Sequence, residues 1–598
     1  MSQHRLLAAL LFSALAVKSA NPVPPKSSRP KPAAKDAFSP AERTWVQRWM
    51  KPMTLRDEVA QLIIITSYGE APSAKSQAFR DFVHQVRDIR VGGLIVVNRV
   101  VHGSVRNAEP FAMAAFLNRM QRVAKVPLMV GADFERGASM RVANTTKFPH
   151  LMAYGAAHDL ALTRYLGLAT AREARALGIQ WVFAPDADVN NNPDNPIINT
   201  RSFGENPQDV AAQVKAFIEG AHADPKDRVL VTVKHFPGHG DTAVDSHMGM
   251  PTLTADRTRM DAMELVPFRA AITAGVDAVM TAHLAVPALE KAEIPATVSP
   301  AVLTGLLRKD LNFNGLIVTD ALDMQGLTKQ FPSGEAAVRA IEAGADVLLM
   351  PVNPEEVIRA VTSAVTSGRL TRKRIQQSTA RVLAAKARVG LNLNKLVNLE
   401  EISDTIDSPE EVEKAQETAD KAVTLVKNEG NLVPLQNPAN ACWFILTESR
   451  GGQQGVQMVD ELQKRVKSAR YTVLDPIVST VEIEQALQKT SDCEVNVVAA
   501  FVSAREYQGK VALPGNLSVL VTGLVNGKSP VILVGLGSPY LLRGFPGVTS
   551  YLATFSTAPP LEAAAVKALL GEIPINGKLP VSIPEFAVYG DGISVPKK

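Results

Sequence analysis

The chain has little cysteine, few aromatic residues and no apolar run long enough to cross a bilayer. Only Cys442 and Cys493 occur among 598 residues, which excludes a disulfide scaffold. Both cysteines flank apolar runs, so one bridge in an oxidising compartment and a pair of buried free thiols are both open. Aromatic residues make up 5% of the chain, too few for a broad stacking surface on single-stranded nucleic acid. The net charge of +5 does not identify a basic face either. Residues 1–50 carry eight Lys/Arg (Arg5, Lys18, Lys26, Arg29, Lys31, Lys35, Arg43, Arg48) against two acids (Asp36, Glu42), and this excess accounts for the whole imbalance. No nucleic-acid partner is expected.

That basic N-terminus has the layout of an export signal. His4 and Arg5 precede the apolar stretch Leu6 to Val17, with the small residues Ser19 and Ala20 after it. The stretch is too short to span a membrane. Residues 1–20 read as a signal peptide and 21–40, rich in Pro, Lys and Ser, as a disordered tether, so a periplasmic or secreted location is expected and a transmembrane anchor is not.

From residue 41 to about 395, short β-rich apolar runs alternate with longer amphipathic stretches. The runs are Gln61–Thr66, Gly93–Val97, Pro127–Val130, Gln180–Ala184, Val229–Val233, Ala278–Thr281, Leu316–Thr319 and Asp346–Met350. Eight near-continuous apolar strands, each followed by a helix, predict a parallel (β/α)8 barrel. An acidic linker at 396–415 leads to a second αβ pattern over 416–598, with strands predicted at Trp443–Leu446, Val495–Phe501, Val531–Gly535 and Tyr551–Phe555. This reads as a smaller α/β/α sandwich. Its Gly535-Leu536-Gly537 is too short a signal for a dinucleotide site.

Polar and ionisable residues gather where the predicted barrel strands end: Asn98, Asp133, Asp186 and Asp188, Lys234 and His235, His283, and Asp320. In a barrel these positions share the rim on which active sites are built. The densest stretch is Lys234-His235-Phe236-Pro237-Gly238-His239-Gly240, followed by Asp245-Ser246-His247, a shaped loop rather than a solvated helix face. Asp320, directly after a buried strand, is placed to be a nucleophile. Asp245 lies close enough to orient the His247 imidazole, which can both give and take a proton. Lys234, Arg141 and Arg201 supply donors for a polar ligand. A nucleophilic carboxylate, a proton shuttle and several donors suit double-displacement hydrolysis of a glycoside.

These residues resemble glycoside hydrolase family 3, and within it the β-N-acetylhexosaminidase branch that acts on cell-wall sugars. The histidine-rich stretch through His247 matches that branch's signature, Thr319-Asp320-Ala321-Leu322-Asp323-Met324 its nucleophile motif, and Asn199-Thr200-Arg201-Ser202-Phe203-Gly204-Glu205 its substrate loop. Ala419 to Leu435 and Gly577 to Pro584 resemble the opening and end of the family's second domain. The resemblance implies Asp320 as nucleophile and His247 as acid/base, with Asp245 as its partner. It implies that Asp133, Arg141, Arg201, Lys234 and His235 hold a terminal β-linked N-acetylglucosamine. No cofactor or metal is implied. Arg136 departs from the family pattern, standing where a glycine is usual beside Asp133.

Three enzymatic alternatives share these residues. A family 3 β-glucosidase or xylosidase takes its acid from a second-domain carboxylate, whereas here a complete pair sits on the barrel loop. Phosphorolysis is favoured by a His acid/base, which repels phosphate less than a carboxylate does. A metal-dependent barrel hydrolase would recruit His235, His239, His247, His283 and Asp320, but such barrels open with His-x-His and Ile64 to Tyr68 has none. A non-catalytic sugar-binding protein predicts a broken catalytic set, and this set is complete. The oligomeric state is not legible.

Overall fold

The computed structural model describes residues 38–101 and 104–598. The expected signal segment and most of the expected tether lie outside the described residues. The first described helix, Pro40–Met50, is started by a capping box in which Ser39 and Glu42 exchange backbone and side-chain bonds. Its Trp45 and Val46 pack on Leu383 and Ala384 of helix Arg372–Arg388.

All eight barrel strands form: β1 (Ile63–Ser67), β2 (Gly93–Val96), β3 (Met129–Ala132), β4 (Trp181–Val182), β5 (Leu230–Phe236), β6 (Ala278–Thr281), β7 (Leu316–Val318) and β8 (Leu348–Leu349). Each pairs in parallel with its sequence neighbour, and β8 returns to β1 through the Ile63–Leu348 register. The seam between β7 and β8 is held by the Val318–Val347 bridge and by Thr319 N–H donating to the Val347 carbonyl at 3.0 Å. Strands β4 and β8 are shorter than the apolar runs that announced them. Strand β5 is longer, running through Lys234 and His235, which therefore sit inside the strand rather than after it. Buried carboxylates supply their partners, which is what lets two polar residues occupy a strand interior.

Helices cover the outside of this sheet. Asn206 caps Pro207–Ala221 by accepting from Gln208 and Asp209 N–H, and Pro207 takes the first helical position. Val210, Val214, Phe217, Ile218 and Ala221 are its buried stripe. The helix crosses Leu160–Ala176 at a contact that glycine makes possible: a Cβ on Gly220 would lie 1.9 Å from the Arg164 carbonyl.

Helix Pro409–Ala422 leads into the second domain. Its sheet has strands β9 (Thr424–Asn428), β10 (Ala441–Leu446), β11 (Arg470–Leu474), β12 (Val495–Val502), β13 (Val531–Gly537) and β14 (Ser550–Ala553), ordered β9-β14-β13-β12-β10-β11. Only β9 runs antiparallel, against β14. Strands β9 and β11 were not predicted. Cys442 and Cys493 are bonded, fixing β10 to the turn before β12. Among the described residues no helix is long and apolar enough to cross a membrane.

The second domain docks on the rim of the barrel. Glu205 accepts from Ser582 N–H (2.8 Å) and Oγ (2.6 Å), while its own N–H donates to the Pro580 carbonyl. His150 meets Ser556, and Asn190 Nδ2 donates to the Tyr540 hydroxyl at 2.9 Å.

One buried cation has no carboxylate beside it. Lys386 is fully enclosed, its Nζ donating to Gln61 Oε1 at 2.7 Å, and burial pushes its pKa down to about 7. An unfolded lysine titrates near 10.4, so between about pH 7 and 10 the unfolded chain holds the extra proton and stability rises with pH. Lys386→Met should remove this contribution. Urea midpoints measured at pH 7, 8.5 and 10 are expected to favour the variant most at pH 7, with the difference shrinking toward pH 10.

Candidate active site

Asp133, Asp186 and Lys234 join Glu135, Arg141 and Arg201 in one network of charge at the rim. Lys234 Nζ lies 3.0 Å from Asp133 Oδ1 and 2.7 Å from Glu135 Oε1. Arg141 Nη2 donates to Asp133 Oδ2 at 2.7 Å. Arg201 grips Glu135 with two bonds, Nε at 3.0 Å and Nη2 at 2.8 Å, and its Nε lies 3.3 Å from Asp186. The fork-on-carboxylate geometry fixes the guanidinium plane. Burial alone would raise Asp133, but Lys234 and Arg141 outweigh it and hold its pKa at about 2. Asp186 is the opposite case: burial keeps it above the usual carboxylate range despite Arg201.

Asp133, Arg141 and Arg201 keep an open edge, with 17%, 16% and 19% of their side chains exposed, while Lys234 has 3%. The first three therefore keep polar atoms at the open edge of the network, while the enclosed Lys234 ties Asp133 to Glu135. His235 is oriented from below by Asp188, which accepts from Nδ1 at 2.8 Å and from the His235 and His239 N–H groups. Burial works against the charged imidazole, yet the Asp188 carboxylate raises the His235 pKa overall. Asp188 thereby pins the rim loop, and the Asn-rich turn after it adds a second set of bonds. Asn195 Nδ2 donates to the His239 and Gly240 carbonyls while its Oδ1 accepts from Ile197 and Ile198 N–H. His239, bonded through Nδ1 to Thr242 and driven by burial to a pKa of about 4, is neutral and shapes the loop.

Asp320 follows β7 and accepts from Ala321 N–H at 2.8 Å. Burial opposes its ionisation, but His235, His283 and His247 outweigh that and keep its pKa below the usual value. His283 is closed in, with Nδ1 on Thr297 Oγ1 and Nε2 on the Ala321 carbonyl, so it braces the turn carrying Asp320. Asp245 Oδ1 accepts from His247 Nδ1 at 2.8 Å and from its N–H at 2.9 Å. That leaves Nε2 as the nitrogen free for proton transfer. Burial depresses the imidazole, but the bond to Asp245 and the charges of Glu506 and Asp320 raise its pKa above the ordinary value. Asp323 is exposed as a residue, but its carboxyl group is partly desolvated, and that desolvation together with the negative charges of Asp320 and Glu506 raises its pKa.

Two neighbours of the dyad were not predicted, and both come from the second domain. Tyr507 N–H donates to Asp245 Oδ2 at 2.8 Å, and its ring meets the His247 ring edge-on at 5.3 Å. Glu506 Oε1 stands 3.9 Å from His247 Nε2. A second-domain carboxylate is thus present beside the barrel's own pair. Glu135, the hub between Lys234 and Arg201, was not predicted either. Arg136 is half-buried, with Glu135 and Arg141 as charged neighbours.

Among the described residues, Asp186, Asp188 and His235 have ligand atoms close enough to hold a metal ion, within 4.8 Å of one another. The cluster is already occupied by a fixed cation: Arg201 Nε lies 3.3 Å from Asp186 and its Nη2 3.4 Å from His235 Nε2, so an ion would have to compete with the guanidinium for the same residues.

Known proteins carry the same two-domain plan. Residues 54–385 match the model of the glycosyl hydrolase family 3 N terminal domain, and 423–591 that of its C-terminal domain. The chain is 28% identical over 566 residues to a beta-N-acetylglucosaminidase/beta-glucosidase of Cellulomonas fimi, covering 90% of this chain and 95% of that protein. The solved structure of a family 3 beta-N-acetylglucosaminidase from Paenibacillus sp. str. FPU-7 superposes with a TM-score of 0.77 at 31% identity, over 88% of this chain and 98% of that one. A beta-glucoside phosphorylase, BglX, superposes with a TM-score of 0.78 at 25% identity, over 91% and 96%. The chain belongs to glycosyl hydrolase family 3. It is an enzyme that acts on β-linked sugars.

Proposed function

We propose that the enzyme is an exported retaining exo-glycosidase that removes terminal β-linked N-acetylglucosamine. The observation that carries this reading is the Asp245–His247 pair, with His247 Nε2 left free beside the Asp320 turn. In the first step Asp320 attacks the anomeric carbon while His247 Nε2 protonates the departing oxygen, and a covalent glycosyl-aspartate forms. Esterified Asp320 no longer carries the negative charge that helped keep His247 protonated. The imidazole pKa falls at that moment, which suits it to take a proton from the incoming water in the second step. Asp133, Arg141 and Arg201 face the sugar hydroxyls; Lys234, His235 and Glu135 fix their geometry. Export rests on the N-terminal signal pattern and is compatible with the Cys442–Cys493 bond.

One observation bears on how the alternatives are weighed. Glu506 beside His247 Nε2 puts negative charge where an incoming phosphate would have to stand, so hydrolysis is favoured over phosphorolysis. The same Glu506 supports a second reading, in which it acts as a β-glucosidase-type acid. Initial rates on 4-nitrophenyl β-N-acetylglucosaminide and β-glucoside, each with and without phosphate, test these readings together. The expected result is preference for the N-acetylated sugar and no acceleration or sugar phosphate with phosphate. A β-glucoside preference would remove the substrate assignment, and sugar phosphate as product would remove hydrolysis.

A further inference from the structure

The second-domain segment that meets the catalytic dyad is held at both ends. On its own side, Glu448 accepts from Ser503 N–H (2.7 Å), Ser503 Oγ (2.8 Å) and Arg505 Nη2 (2.6 Å). On the barrel side, Tyr507 N–H is bound to Asp245 at 2.8 Å. Tyr507 takes φ +65°, a backbone region that costs a tyrosine energy and is kept only where surrounding contacts demand it. Gly509, also at positive φ, passes the Met248 thioether closely enough that a Cβ there would lie 3.5 Å from Sδ. The segment is therefore a built part of the rim.

Glu506 Oε1 stands 3.9 Å from the free nitrogen of His247 and the Tyr507 ring meets the imidazole edge-on, with Val244 and Met248 on the same barrel loop as His247. The Glu506 side chain is 58% exposed, and Tyr507, Val244 and Met248 leave 58%, 46% and 45% of their surfaces open. Because Nδ1 is committed to Asp245, the leaving-group oxygen must approach Nε2, and whatever is attached to that oxygen lies against this patch. An aromatic face with flanking apolar side chains suits the flat face of a sugar ring. The charge of the patch is negative: Glu506 and Asp323 interact electrostatically with one another and with Tyr507. Of the nearby cations, Arg505 is paired with Glu448, whereas Lys329, whose Nζ donates to the Met248 carbonyl at 2.7 Å, keeps its charge, leaving the two carboxylates against one ammonium.

We propose that Glu506 and Tyr507 form a leaving-group subsite that selects aglycones bearing a basic amine, such as an unacetylated amino sugar, over aglycones bearing a carboxylate. The assignment rests on the proposed function in one respect, that His247 protonates the leaving group. It narrows that function by favouring partly deacetylated amino-sugar chains over cell-wall units carrying an acidic side group. A partly exposed charge pair at this range changes affinity only modestly, so the expected preference is about five- to tenfold in kcat/KM.

The test uses two aryl β-N-acetylglucosaminides whose phenols have matched pKa values, one with a trimethylammonium group and one with a carboxylate. The full-length enzyme is expected to favour the cationic substrate, with the ratio shrinking in 1 M salt as exposed charges are screened. Glu506→Gln should bring the ratio close to one at low salt. A ratio near one in the parent enzyme, or one that Glu506→Gln leaves in place, overturns the proposal. A loss in Glu506→Gln confined to neutral substrates with poor leaving groups would make Glu506 the acid and also overturn it. If only β-glucosides are hydrolysed, the paired measurement is made on the matching glucosides. The sugar assignment then fails while the leaving-group ratio still returns its own answer.

Discussion

Asp320→Ala should leave less than about one part in 10⁴ of the parental kcat/KM on 4-nitrophenyl β-N-acetylglucosaminide, the scale of loss that follows removal of a covalent nucleophile. Asp320 is the carboxylate kept ionised by three histidines at the end of a buried strand, and its geometry is fixed by the Ala321 N–H. Asp323 is exposed and disfavoured as an anion, so it is not expected to substitute. Two further measurements make the claim specific. Added azide should restore turnover in the alanine variant and yield the α-glycosyl azide, because a small anion can occupy the vacated space. A slow 2-fluoro glycosyl donor should add its mass to the peptide containing Asp320 in the parent enzyme. Label recovered on any other carboxylate would sink the assignment.

His247→Ala should divide substrates by leaving group. Loss of general acid catalysis costs about 10²- to 10⁴-fold where the departing oxygen needs a proton, and far less for a 2,4-dinitrophenolate. Equal losses on both would remove His247 from the acid role. The pH profile gives a second check. Catalysis needs Asp320 ionised and His247 protonated, so kcat/KM falls below the Asp320 pKa and above the His247 pKa. Asp320 is shifted down and His247 up, so the plateau is wider than ordinary values allow and its alkaline limb lies above 6.5. Glu506→Gln removes one of the charges raising His247 and should move that limb toward lower pH.

The barrel was legible because parallel strands buried on both faces are written as continuous apolar runs, and all eight were found from that pattern. The pattern failed where polarity and burial part company. Lys234 and His235 look like loop residues, yet they are 2% and 6% exposed within β5 because Asp133, Glu135 and Asp188 receive them. Edge strand β11 alternates half-buried with exposed residues and carries Arg470 and Thr472, so no run announces it. Asp133 and Asp320 were legible as residues just past strand ends, and Asp245 and His247 as part of the dense polar motif that follows β5. The part of the site that escaped notice lies 262 residues from Asp245 and meets it through a backbone N–H, which leaves no signature in side-chain identity.

That backbone contact has a practical consequence for anyone surveying the enzyme by exhaustive substitution. At position 507 nearly every replacement keeps the donor to Asp245, so tolerance in a screen for fold retention would be misread as irrelevance to turnover. Glycine adopts positive φ freely and should score at least as well as tyrosine for fold retention. Proline, which has no N–H and requires negative φ, should stand alone as the deleterious outlier. A profile of that shape would reveal a main-chain role that conventional alanine replacement passes over in silence.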